Sequence, residues 1–448
     1  MAGTKRHFVG SSALLLARCL MCLAAVALAH AASDVVEAPA MSPLRGIAYG
    51  ALPCTEQFCG GLHPPEDMLL NGYAKQWGPE GRDDLAMMAD LGANAVRLYH
   101  SLGLDGNESH VGFLNHAQQV GLDVMPGFHT ESANQPYHCP EYDCFETWKQ
   151  ATLKGFTQGF AQAGAWHPAV ATLILLNEPD FFEFSPKCQP SGAWCRVKAA
   201  LSALDGVLMA EKEAGISAGR VRLTVTWSFG MMTSIDGSVT GPGVFGFQDM
   251  VAGVADPQIA YYTPRSTHEA LEQAFRTRWT HGLNTQAPWS FVNAMVSKEY
   301  ARFSPAPWFI GEYGANGQPA DVIQADLEAM HKSASESSGF LGAAVFQFQT
   351  AHWKGGSEMN FGLFRLGDQE LGSTDEICAG SYCHTYPVHC LSTRLDWLPG
   401  TLADRAQAVA SAWNGTVASG KGLCSIASPS VAGESGPRRL RGSHDLFA

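Results

Sequence analysis

From residue 44 onward the chain alternates short apolar runs with amphipathic stretches, punctuated by glycines and polar loops. Gly46-Ile47-Ala48-Tyr49 reads as a first strand. Leu85, Met88 and Leu91 then share one face of a helix, and Gly92 is placed to end it before a second strand, Ala95-Val96-Arg97-Leu98-Tyr99. The unit recurs at once. Val111, Leu114, Ala117 and Val120 line one helical face, Gly121 stops it, and Leu122-Asp123-Val124-Met125 follows as a strand. Phe156, Phe160 and Ala163 precede the near-continuous apolar run Val170 to Leu176, the composition expected of a strand covered on both faces by helices.

The same alternation continues. Leu201, Leu204 and Leu208 form a helical stripe before Val221-Arg222-Leu223-Thr224-Val225-Thr226. Trp308-Phe309-Ile310 is a strand, followed by a helix bearing Val322, Ile323, Leu327 and Met330, and Ala343-Ala344-Val345-Phe346 closes the series. These make seven strands. The eighth, sixth in chain order, must fall between Phe229 and Pro305 and is expected at Ile259-Ala260-Tyr261-Tyr262. Repeated strand and helix units of this kind predict an α/β fold, a (β/α)8 barrel with long loops, over residues 44–370. A doubly wound open sheet is the alternative, less favoured because no G-x-G-x-x-G follows the first strand.

The flanking segments differ in character. Lys5 and Arg6, the apolar run Cys19 to Ala29 and the small-x-small site Ala29-His30-Ala31 read as a secretory signal peptide over residues 1–31. Residues 32–43 then form a linker. Residues 371–424 hold clustered cysteines and a short helix near Ala403–Trp413, expected as a disulfide-tied appendage, and residues 425–448 read as a disordered tail. No later segment reaches the roughly 18 uninterrupted apolar residues of a membrane span. The protein is therefore expected to be secreted, to the medium or a cell wall, and monomeric.

Composition narrows the function. Of 448 residues, 46% are hydrophobic and 16% charged, enough apolar material for a large core and too little charge for general disorder. Without the three basic residues of the leader, 26 of the 29 basic residues face 42 acidic ones, a net charge of −16. That excludes a phosphate-tracking nucleic-acid binder. Ten cysteines remain after the leader. Cys54/Cys59, Cys139/Cys144, Cys188/Cys195 and Cys378/Cys383 fall close in sequence, with Cys390 and Cys424 left over, and all ten are expected as disulfides. No C-x-x-C doublet supports a zinc site, and neither metal nor cofactor is expected. Asn107-Glu108-Ser109 and Asn414-Gly415-Thr416 are glycosylation acceptors.

The chemistry sits at the strand ends, where barrel enzymes place it. The fourth strand ends Leu175-Leu176-Asn177-Glu178-Pro179 and the seventh Phe309-Ile310-Gly311-Glu312-Tyr313-Gly314. A carboxylate directly after a buried strand is costly unless paired or used. Two of them across a barrel mouth are what glycoside cleavage requires, one to protonate the leaving oxygen and one to attack the anomeric carbon or activate water. Two large aromatics at strand ends, Trp227 after the fifth and Trp353 beyond the eighth, are candidate platforms for sugar rings. His129, ending the third strand, is a candidate contact for substrate hydroxyls.

With these motifs the segment 44–370 resembles the superfamily of retaining β-glycosidase barrels, whose acid/base follows an asparagine on strand four and whose nucleophile ends strand seven. Val96-Arg97-Leu98-Tyr99, Glu312-Tyr313-Gly314 and Asn360-Phe361-Gly362-Leu363 look most like fungal cell-wall β-1,3-glucanosyltransferases. Gly46-Ile47-Ala48-Tyr49-Gly50 is similar to plant-type β-1,3-glucanases, and Asn177-Glu178-Pro179 to the cellulase-like branch. The resemblance implies Glu178 as acid/base, Glu312 as nucleophile, Asn177 on the sugar 2-hydroxyl, Arg97 orienting Glu312 and keeping it ionised, and a sixth-strand tyrosine, Tyr261 or Tyr262, supporting the nucleophile. It implies an oligo- or polysaccharide substrate, β-1,3-glucan before β-1,4-glycans. A non-catalytic wall-binding protein on the same barrel is the rival class, although a pure binder would not need both glutamates and Asn177. A metal-dependent hydrolase lacks any H-E-x-x-H.

Overall fold

The computed structural model describes residues 43–425, apart from 62, 102–107, 128–138, 181–192, 230–244, 337–338, 380–381, 396–403 and 418–419. The expected leader, nearly all of the linker, the tail beyond Ser425, and Asn107, His129 and Cys188 lie outside the described residues.

Eight parallel strands form the centre: β1 (Leu44–Ala48), β2 (Ala95–Arg97), β3 (Asp123–Met125), β4 (Thr172–Asn177), β5 (Arg222–Ser228), β6 (His281–Thr285), β7 (Trp308–Tyr313) and β8 (Phe340–Val345). Their order is β3-β2-β1-β8-β7-β6-β5-β4. Bridges from Val124 to Val170 and from Gly127 to Ile174 join the two ends, so the sheet closes on itself. Helices α1 (Asp84–Asp90), α2 (Val111–Gln119), α3 (Phe145–Gly155) and α4 (Ala193–Ala214) follow the first four strands. Two helices, α5 (Phe245–Ala255) and α6 (His268–Arg278), follow β5, then α7 (Trp289–Glu299) follows β6 and α8 (Ala320–Glu336) follows β7. This is a (β/α)8 barrel.

Strand periodicity divides the core into two. Outward residues such as Val96, Val124, Leu173, Val225, Leu283 and Ile310 are fully buried against the helices, each contributing about 1.5–3 kcal/mol of burial. Inward residues Ala95, Met125, Ile174 and Phe309 plug the barrel, with Leu44 and Leu341 packed on them. Above that plug the interior turns polar, and the candidate site residues stand there. Two register irregularities aim them. β4 shifts against β5 between Ile174 and Leu176, so Leu175 and Leu176 both join the outer core and Asn177 returns inward. β7 gains a residue against β6, Leu283 pairing with Ile310 but Asn284 with Glu312. Bulges re-aim side chains in this way.

The sixth strand corrects the sequence expectation. Residues 257–260 form a short 3-10 turn, capped by the Asp256 side chain on the Gln258 amide, and not a strand. The true β6, His281-Gly282-Leu283-Asn284-Thr285, has Leu283 as its sole aliphatic residue, because its inward positions carry Gly282 and Asn284. A period-2 apolar pattern cannot reveal such a strand.

After β8 the chain leaves the barrel and returns. β9 (Arg365–Ser373) pairs antiparallel with β12 (Pro387–Ser392), and between them β10 (Ile377–Ala379) and β11 (Tyr382–His384) form a hairpin. The disulfides Cys54–Cys59, Cys139–Cys144, Cys378–Cys383 and Cys390–Cys424 are formed, and Cys195 is also disulfide-bonded. The buried Arg82–Asp84 ion pair ties barrel to appendage, since the Arg82 guanidinium also donates to the His389 carbonyl at 2.9 Å. The expected late helix is α9 (Arg405–Ala412); it packs on α8, and Thr416 just beyond it donates to the Asp90 carbonyl of α1. Asn414 is exposed at its end. No helix among the described residues is long and apolar enough to cross a membrane.

Candidate active site

The polar layer is organised by one buried cation. Arg97 is fully buried inside the barrel at the end of β2. Its Nη2 lies 2.9 Å from Glu312 Oε1 and donates to Asn177 Oδ1 at 2.6 Å, while Nη1 donates to Asn284 Oδ1 at 3.1 Å. A buried guanidinium needs acceptors for its amino groups, and the ends of β4, β6 and β7 supply them. Space for it is made by an absence. A Cβ on Gly311 would stand 2.9 Å from Arg97 Nη1, 2.9 Å from Asn284 Oδ1 and 2.7 Å from Thr226 Cγ2. Gly311 is thus the notch into which the arginine fits.

Glu312 also accepts a hydrogen bond from the Tyr99 hydroxyl at 2.9 Å. Burial holds the Tyr99 phenol well above its usual range, and the Glu312 charge adds to this against the opposing pull of Arg97, so the tyrosine is a permanent donor. Arg97 lies over the Tyr99 ring, 4.8 Å from its centre. Glu312 is therefore clamped between a cation and a phenol.

Glu178 has the opposite setting. It accepts from Asn284 Nδ2 at 3.1 Å, and burial followed by the charge of Glu312 pushes its carboxyl up to about 7. Its backbone sits at φ 48°, in the left-handed region, a conformation that costs a non-glycine residue about 1–3 kcal/mol and tends to persist at functional sites. The Glu178 amide is fixed by the Thr226 carbonyl at 2.7 Å. Asn177 Oδ1 accepts from Arg97, from Thr226 Oγ1 at 2.8 Å and from Asn284 Nδ2 at 3.0 Å, which locks its amide plane. A carboxyl held by a cation and a phenol, beside a second carboxyl that keeps its proton to higher pH than usual, is the arrangement acid-and-nucleophile chemistry uses.

That space is a cleft of about 550 Å³ at the C-terminal mouth of the barrel. Glu178, Glu312, Asn177, Asn284, Tyr99 and Trp353 all line it, with the Phe346 and Phe361 rings. The Phe346–Gln347 peptide, just past β8, is cis.

Three expected site residues lie elsewhere. Trp227 is fully buried on the helix side of β5, so close under α5 that a Cβ on Gly246 would meet its ring at 2.1 Å. It is a packing residue, because the inward positions of β5 are Thr224 and Thr226. Tyr261 is 72% exposed against Trp194, and Tyr262 is buried with its hydroxyl on Asp205 at 2.6 Å. Neither lines the cleft. The tyrosine on Glu312 comes instead from just beyond β2. Tyr99 stood in the quoted Val-Arg-Leu-Tyr run, but nothing in a lone tyrosine shows which carboxylate it meets. Asn284 was missed outright with its strand.

Two expectations follow from this geometry. Gly311→Ala should force the guanidinium off its acceptors, at an overpacking cost of about 1–3 kcal/mol. Turnover should fall tenfold or more while the fold survives, checked by kcat beside the thermal midpoint. The second concerns Glu178. Below pH 4.5 its carboxyl is protonated in both native and unfolded chains. Between pH 4.5 and about 7 the unfolded chain releases a proton that the native state keeps, so stability falls as pH rises through that window. Glu178→Gln should remove the penalty. It should raise unfolding free energy above pH 7 by roughly 3 kcal/mol and leave it unchanged at pH 4, as read from urea midpoints.

No family model matches the sequence, and no curated protein matches it. Among solved structures, the chain is similar to a β-glucosidase from Thermotoga maritima in complex with noeuromycin, at 12% identity and a TM-score of 0.45, over 73% of this chain and 93% of that one. It is likewise similar to the family 1 β-glucosidase from Thermotoga maritima, at 12% identity and a TM-score of 0.44, over the same shares.

Proposed function

We propose that the protein is a secreted retaining glycosidase or transglycosylase that acts on β-glucan, β-1,3-linked in the first instance, by double displacement. The observation that carries this reading is the contrast between the two carboxyls: Glu312 held by Arg97 and Tyr99, Glu178 raised to about 7 beside Asn284. In the first step Glu178 gives its proton to the glycosidic oxygen as that oxygen leaves, and Glu312 attacks the anomeric carbon to form a glycosyl ester. In the second, Glu178, now ionised, takes a proton from water or from a sugar hydroxyl. That oxygen attacks the anomeric carbon, and the Glu312 carboxylate departs. Asn177, locked by three donors to its carbonyl, is positioned to meet the 2-hydroxyl. Trp353, Phe346 and Phe361 supply flat apolar surface of the kind sugar rings stack on. The disulfides suit an oxidising compartment outside the cell.

The test is incubation with defined β-1,3- and β-1,4-gluco-oligosaccharides followed by mass spectrometry. Products longer than the substrate mean transfer, and shorter ones alone mean hydrolysis. Cleavage of the β-1,4 series only would make the protein a β-1,4-glycanase. Turnover of neither, with binding retained, would favour the non-catalytic carbohydrate binder.

A further inference from the structure

One flank of the cleft carries charge that the two-step chemistry does not use. It is built by the loops that follow β1, β2 and β8. Glu66, in the first loop, lines the cleft with its side chain 20% exposed. Its Oε2 lies 3.0 Å from His100 Nε2 and its Oε1 3.6 Å from His63 Nε2. His63 in turn packs edge-on against Trp353, with ring centres 5.1 Å apart. Lys354 Nζ sits 5.2 Å from the Trp353 ring centre and 3.6 Å from Glu358 Oε2. An aromatic plate, an anchored carboxylate and an ammonium group thus share one wall. Burial pushes the Glu66 carboxyl up, but the His100 hydrogen bond and the charges of His100, His63 and Lys354 outweigh it and bring it below its ordinary value. The group stays ionised, an acceptor aimed at the cleft.

Its position along the cleft follows from the chain. Tyr99 and His100 are consecutive, yet the first reaches Glu312 and the second Glu66. Glu66 belongs to the loop after β1 and Glu312 to β7, so the two carboxylates stand on different parts of the cleft wall. Around the barrel, β1, β2 and β8 stand on the side away from β4 and β5, where Glu178 is held. If Glu178 protonates the departing oxygen, the leaving portion of the substrate passes β4 and β5. The portion that is retained then extends toward Glu66.

Resting on the function proposed above, we infer that Glu66, with Lys354 and Trp353, forms a binding position for the second sugar ring on the non-reducing side of the cleaved bond, and that this position selects a neutral ring with free hydroxyls. The carboxylate takes hydrogen bonds from two hydroxyls, the lysine donates to a third oxygen, and the indole covers the ring face. A uronate or sulfated ring there would set its own anion against Glu66 and Glu358.

The experiment compares aryl β-glucoside, which fills only the ring at the cleaved bond, with aryl β-glucobiosides in their 1,3- and 1,4-linked forms, which fill both. For the better bioside, the ratio of its kcat/KM to that of the monoside should fall about tenfold to a hundredfold in Glu66→Ala, the range for losing hydrogen bonds to a charged group. An unmoved ratio, both substrates falling in step, overturns the inference and leaves Glu66 a general support of the fold or the nucleophile. Glu66→Gln, which keeps the volume, guards against misfolding. It should also improve use of a bioside whose outer ring is a glucuronate by fivefold or more over wild type. Equal use of the acidic and neutral biosides by wild type overturns the claim of a neutral ring. Failure of wild type to cleave any of the aryl glycosides is a different result, and it removes the underlying glycosidase reading.

Discussion

Glu312→Ala is expected to lower turnover by about 10⁴- to 10⁶-fold on every substrate, the loss typical of removing a covalent nucleophile. No improvement in the leaving group should restore it, because the missing event is bond formation at the anomeric carbon. The substitution also leaves the Arg97 guanidinium without its counter-charge. Breaking a buried pair costs about 3–5 kcal/mol, and the partial exposure of Glu312 places this case at the lower end. Glu312→Gln is the control for folding, since its amide oxygen can still accept from Arg97 and Tyr99. Both variants should show no accumulation of glycosyl-enzyme on a slow activated substrate, measured by intact-protein mass. A labelled intermediate in Glu312→Ala would move the nucleophile elsewhere.

The second large effect depends on the substrate. Glu178→Ala should cost about 10²- to 10⁴-fold on natural glucans, whose alkoxide leaving groups need a proton. It should cost far less on aryl glucosides with acidic phenols. Azide added to Glu178→Ala should attack the intermediate and give a β-glycosyl azide. Azide added to Glu312→Ala should take the nucleophile's place on an activated substrate and give the α product. Exchange of those two stereochemical outcomes would exchange the roles of the glutamates, and inverted sugar from wild type would remove the double displacement.

The barrel was legible in the sequence wherever its strands are apolar. Val170 to Leu176 and Trp308 to Ile310 announce themselves, and the carboxylates that follow them are conspicuous because a core would have continued with another aliphatic residue. The same logic failed at β6. Asn284 answers to Arg97 and Gly282 leaves room for Thr224 and Thr226 of β5, so neither stands as the valine or leucine the pattern called for, and the apolar run at 259–262 drew the assignment instead. Trp227 misled for a related reason. At a strand end the inward or outward sense of one side chain depends on register, and Thr226 takes the inward place. Tyr99 could be read as a residue but not as a partner, since its contact with Glu312 spans 213 positions of chain. Strand periodicity is local information. The clamp on Glu312 is long-range, and it rests on two bulges that one-dimensional pattern does not show.

The position of α9 bears on where this chain can be cut. It packs on α8, its Arg405 guanidinium donates to the Gly314 and Ala315 carbonyls just past β7, and the segment after it is bonded back to α1. The last stave of the wall is therefore cut from chain that comes after the hairpin, and the hairpin is a detour within the eighth repeat. A stop codon placed at the apparent end of the barrel, near residue 370, would breach the wall between its last and first staves and unseat the carbonyls just past β7. A change confined to the β10–β11 hairpin, whose Tyr382 is exposed, would leave the closure whole, which makes that hairpin the natural place to splice in a tag or a second module.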